Sequence, residues 1–112
     1  MYTKRYLQTS SNEMVEELRE LERAIKMRTT YDNGTDLKGL SSKVYNKWDE
    51  MRRIWSIIVL HEELDVISVS LIALQTNIRT GEYNRALEQI DRAIFLLEDL
   101  VEKERVTIRN VL

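Results

Sequence analysis

Proline is absent from all 112 residues, and glycine appears only three times. These two residues break regular backbone and supply turns. A sandwich or barrel of short strands needs such punctuation every ~8–12 residues. A chain without it is confined to a few long elements. Its apolar residues recur every three or four positions, so those elements are expected to be helices. Cysteine is absent too, which excludes a disulfide scaffold and a thiolate metal site. With 43% apolar residues the chain can fill a core as one small helical domain.

The spacing predicts three helices. The first is expected over about 10–28, with Ser10-Ser11-Asn12-Glu13 as a capping box and a start as early as Tyr2 not forbidden. Its stripe is Leu7, Met14, Leu18, Leu21 and Ile25. Asn33-Gly34 marks the first turn, because both residues accept positive φ. Helix 2 is expected over about 36–79, capped by Thr35 or Asp36. It carries Leu37, Leu40, Val44, Trp48, Met51, Trp55 and Ile58, then a shifted stripe of His61, Leu64, Ile67, Leu71, Leu74 and Ile78. Unbroken, it would reach roughly 65 Å; a kink near Gly39–Ser42 is the alternative. Val66–Ser70 alternates and is β-branched, but the helical pattern on both sides argues against a strand there. Gly81 ends helix 2, and helix 3 follows over about 82–108, with a stripe of Tyr83, Leu87, Ile90, Ile94, Leu97, Val101 and Ile108 widened by Ala86, Ala93 and Leu100, and with Glu88–Arg92 and Asp99–Lys103 as i,i+4 pairs. A connection of about three residues sets helices 2 and 3 antiparallel. The expected architecture is a three-helix antiparallel bundle with a long central helix, its unmatched stripe covered by dimerisation.

Few residues point to chemistry. His61 is the sole histidine, so no multi-histidine metal site can be built. His61 and Asp65 stand four apart, with Glu62 between them, and resemble a zincin helix carrying aspartate for its second histidine. A metal held by His61, Glu62 and Asp65 would need further carboxylates, with Glu98 and Glu102 as candidates. The plainer expectation puts His61 on the core stripe beside Trp55 and Leu64. Trp48 and Trp55, seven apart with Tyr45 nearby, are either an aromatic groove or the large residues of the core. Leu64, Leu71 and Leu97 are placed with them as core or interaction residues. Thr80–Leu87 has the glycine, aromatic and alanine spacing of a tetratricopeptide helix pair, without the second copy that a repeat requires. There is no serine-nucleophile motif and no phosphate loop. No enzymatic activity and no cofactor is expected.

Charge narrows the partners. Residues 1–60 carry a net +2 and residues 61–112 a net −4, with no basic face of the kind nucleic acid requires. The longest uncharged run, Val66 to Ile78, is too short for the ~20 residues of a membrane span. Nor does an apolar leader follow Met1. The chain as given is expected to be soluble.

The order of several segments resembles one family. They are Leu7 with Ser10–Glu13, Trp48, Trp55-Ser56-Ile57, His61–Asp65, Ile67 and Leu71, Ala86-Leu87, Phe95–Glu98, Glu102–Glu104 and the terminal Asn110-Val111-Leu112. The family comprises short helical proteins of Gram-positive, mostly spore-forming bacteria, known only as a domain of unknown function. The segment 32–42 looks longer than the family's usual first connection. The resemblance implies an N-terminal membrane anchor that this chain lacks, a natural chain continuing upstream of Met1, and an extracytoplasmic location. It implies no activity.

Two functions follow as expectations. One is a non-catalytic helical module, outside the membrane, that binds another protein or itself. The other is a metal- or small-ligand-binding domain centred on His61. A tetratricopeptide-like adaptor is a weaker third.

Overall fold

The computed structural model describes residues 2–28 and 36–111. Within them are four helices and no strand: α1 (Tyr2–Met27), α2 (Leu37–Trp55), α3 (His61–Arg79) and α4 (Tyr83–Val111). α1 packs against α2 and α4, and α3 packs against the same two. The helices therefore form a ring that runs up and down in sequence order, within an envelope of 55 × 22 × 20 Å.

The three-helix expectation is corrected at one place. The long central helix does not run through 36–79; α2 is one helix from Leu37 across Gly39–Ser42 to Trp55, and the chain folds back through Ser56–Leu60. Tightening bonds close the end of α2, from Ile57 N–H to the Ile54 carbonyl at 3.2 Å and from Ile58 and Val59 N–H to the Trp55 carbonyl at 2.9 and 2.8 Å. Leu60 then takes an extended conformation (φ −62°, ψ 139°) and α3 begins. Continuous, the helix would have turned its two stripes along a rod with no partner for half its length. Folded back, both enter one core. The slip between the Trp55 and Leu64 stripes is the break. Three residues assigned to those stripes change place: Leu40 and Ile58 are only half-buried and His61 is exposed.

The core holds Leu7, Met14, Leu18, Leu21 and Ile25 from α1, with Val44, Trp48, Met51 and Trp55 from α2. Leu64, Ile67, Leu71, Leu74 and Ile78 enter from α3, and Ala86, Ile90, Ala93, Ile94, Leu97, Leu100 and Val101 from α4. Trp48 and Trp55 meet edge to face, 5.9 Å between ring centres. That geometry matches the positive edge of one ring to the negative face of the other.

At least one polar tie joins each neighbouring pair of helices. Trp55 Nε1–H donates to Ser10 Oγ at 3.0 Å between α1 and α2. Trp48 Nε1–H donates to Ser68 Oγ at 2.9 Å between α2 and α3. Ser70 Oγ–H donates to the Gln89 carbonyl at 3.2 Å between α3 and α4. The Arg28 guanidinium sits 3.9 Å above the Tyr83 ring and closes the circle between α1 and α4. Trp55 at the end of α2 meets Ser10 in the first half of α1, and Arg28 just after α1 meets Tyr83 at the start of α4, as antiparallel neighbours do.

Ser10 is thus not a cap. It lies inside α1, buried, its hydroxyl donating to the Tyr6 carbonyl at 2.6 Å. The helix starts eight residues before it. The other end signals hold. Asp36 caps α2 by accepting Gly39 N–H at 2.9 Å. The three-residue turn Thr80–Glu82 has Gly81 at φ 74°, and Glu82 N–H bonds back to the Asn77 carbonyl at 2.8 Å. Asp99 and Lys103 pair at 3.0 Å. The Asn33-Gly34 turn lies outside the described residues. No helix among those described is long and apolar enough to cross a membrane.

Candidate functional site

His61, Glu62 and Asp65 lie in the first two turns of α3, and all three are exposed. No group of three or more His, Asp or Glu side chains among the described residues is placed to hold a metal ion. Glu98 and Glu102 point outward from α4, whereas the groove between α3 and α4 is lined by Glu63, Val66, Leu96, Asp99, Leu100 and Lys103. The expectation of a core histidine is corrected, since His61 is exposed at the first position of α3. What the acidic residues do there is local. Glu62 and Glu63 occupy the first turn of α3, where the helix dipole favours negative charge.

Trp48, Trp55, Leu64, Leu71 and Leu97 are all buried, each 1% exposed or less. They are scaffold, and the aromatic-groove reading does not survive their burial. The α3–α4 groove is about 130 Å³, below the ~300 Å³ at which small-ligand pockets begin. Glu104 stands on the same side of α4; burial first and then the Glu63 charge raise its carboxyl above the usual range.

A second polar feature lies on the α1–α2 side. Glu13, Glu16, Glu17 and Glu20 line an open depression with Arg23 and Lys47. Lys47 Nζ stands 3.4 Å from Glu13 and 3.8 Å from Glu17. It spans the two carboxylates and ties α2 to α1, as a solvated ion pair does.

The remaining feature is the outer face of α3. No charged residue occurs from Val66 to Ile78, so the outer face of this stretch presents aliphatic side chains where a surface helix usually carries charge. Val66, Val69 and Ile72 are 40%, 63% and 49% exposed. Leu96 of α4 lines the same groove as Val66. Residues of this kind were noted in the sequence only as an uncharged run. Periodicity marks one buried face of α3, and the second apolar face becomes visible only when the fold shows which side the core occupies.

The family model for a domain of unknown function (DUF4363) matches residues 1–111. No curated protein and no solved structure matches the chain.

Proposed function

Because the chain belongs to the DUF4363 family, a domain of unknown function, we propose a role built on its surface: a non-catalytic module that binds protein through the outer face of α3. The observation that carries this reading is the exposure of Val66, Val69 and Ile72 on a stretch without charge. Exposed apolar area of this kind is stabilised when a partner removes it from water, by about 25 cal/mol per Å². The Trp48–Trp55 core serves this role by holding α3 rigid, since a binding face on a packed helix loses little entropy when it docks.

The bundle works on the outer side of the cytoplasmic membrane, tethered by a segment preceding this chain. The resemblance of the Ser10–Glu13, Trp55–Ile57 and His61–Asp65 segments supports that placement, and the absence of cysteine is compatible with it. An apolar stretch of about 20 residues encoded upstream would support the tether; a polar upstream sequence would remove it.

The binding role is tested by a photo-crosslinking amino acid at Val69 in cells that make the protein. A crosslinked product, with itself or with another protein, is expected from Val69 and not from exposed Glu16 on α1. Equal yields at the two positions would refute the assignment of this face.

A further inference from the structure

The outer face of α3 has a pattern of its own. Asp65, Val69, Ile72, Thr76 and Arg79 succeed one another in steps of four, three, four and three, which places them in one straight seam. Asp65, Val69, Ile72 and Arg79 are exposed and Thr76 is half-buried. The core residues Leu64, Ile67, Leu71, Leu74 and Ile78 occupy the opposite side of the helix. The seam has an acid at one end, apolar residues in the middle and a base at the other end.

Such a sequence is complementary to itself when reversed. We propose that the partner of this face is a second copy of the chain, with the two α3 helices antiparallel about a two-fold axis at Ile72. Ile72 then meets its own counterpart, Val69 meets Thr76 of the other copy, and Asp65 meets Arg79 twice, once on each side of the axis. A parallel arrangement would set Asp65 against Asp65 and Arg79 against Arg79. The antiparallel one also opposes the two helix dipoles. Val66, 40% exposed and lining the groove toward α4, flanks the seam on that side and widens the contact. The uncharged stretch is about 20 Å long and one helix wide, so it forms the centre of an interface near the lower end of the size range, with a reversible dimer as the result. The inference rests on the binding-module reading and names its partner.

The experiment is sedimentation velocity of the full chain over a concentration series, with circular dichroism to show that each variant keeps its helices. Asp65→Arg and Arg79→Asp each place two like-charged pairs across the axis. Each is expected to weaken the dimer about tenfold or more, the equivalent of about 1.4 kcal/mol. The double variant Asp65→Arg with Arg79→Asp exchanges the two ends and is expected to restore association to near the parent value. Ile72→Lys sets two charges together on the axis and should abolish the dimer. A chain that is monomeric up to about 1 mM overturns the proposal, and the Val69 crosslink in cells still decides the broader binding role separately. A dimer that ignores both single swaps, or a double swap as weak as either, overturns the antiparallel α3 seam.

Discussion

Replacing Ser10 by alanine discriminates between two physical roles for the same residue. As the first residue of a capping box, Ser10 would stabilise a helix start, and Ser10→Ala would cost about 1 kcal/mol whatever stood at position 55. In the structure Ser10 is buried at 5% exposure and its Oγ accepts the Trp55 indole N–H at 3.0 Å. Ser10→Ala then leaves a buried donor without a partner, at about 1–3 kcal/mol. Alanine returns about 0.5 kcal/mol through its better helix propensity. The expected net loss is about 1–2 kcal/mol, or a fall in Tm of roughly 5 °C for a domain this size. Trp55→Phe removes the donor, so in that background Ser10→Ala should be neutral or slightly stabilising. Urea unfolding of the four proteins, followed by circular dichroism because a tryptophan is lost, gives a coupling of about 1–2 kcal/mol. A cost for Ser10→Ala that is the same with Trp55 or Phe at position 55 would refute the inter-helix role.

Three further outcomes follow. Gly81→Ala should cost about 1 kcal/mol, because φ is 74° and no atom lies within 4 Å of the added Cβ, leaving backbone strain alone; thermal melts check it. Burial and Glu63 hold the Glu104 carboxyl above its ordinary range. The folded state therefore favours its protonated form, and Glu104 contributes stability at acid pH that is lost as pH rises through its folded pKa. Glu104→Gln should consequently stabilise the bundle slightly at neutral pH, with the gain fading below about pH 4, as urea titrations at several pH values would show. His61→Ala should shift stability by less than about 0.5 kcal/mol, because the ring is exposed; metal content by mass spectrometry should be the same in parent and variant.

The sequence carries the helical class in its spacing, and it carries the core almost residue by residue. Every apolar position named for α1 is buried, as are Leu64, Ile67, Leu71, Leu74 and Ile78 in α3. Gly81 and Asp36 also speak locally, because positive φ and an N-cap are properties of a few adjacent residues. The turn between α2 and α3 was hidden for the opposite reason. Ser56–Leu60 is mostly apolar and contains no glycine, proline, asparagine or aspartate, so beyond the weak helix preference of its β-branched residues nothing local ends a helix there. The chain turns there because folding back buries a second stripe, and that gain exists only once α1 and α4 are in place. Its only trace in the sequence is the change of register after Trp55.

The candidate surface divides in the same way. That Val66–Ile78 lacks charge is a property of the sequence alone. Whether such a stretch is buried on both sides or half exposed depends on which helices surround it. The sequence by itself determined four things: helices, one apolar stripe for each, the Gly81 turn, and a chain without the cysteines or histidines for a familiar metal centre. Only the tertiary structure decided that the described residues form four helices, that Ser10 and Ser68 are acceptors for the two indoles, that His61 stands in solvent, and that Val69 and Ile72 face outward. The physical reason is one of range. Periodicity and capping are set by neighbours three or four residues away. Burial, the satisfaction of an indole N–H and the exposure of a second helix face are set by residues 20 to 45 positions distant, which meet only when the bundle closes.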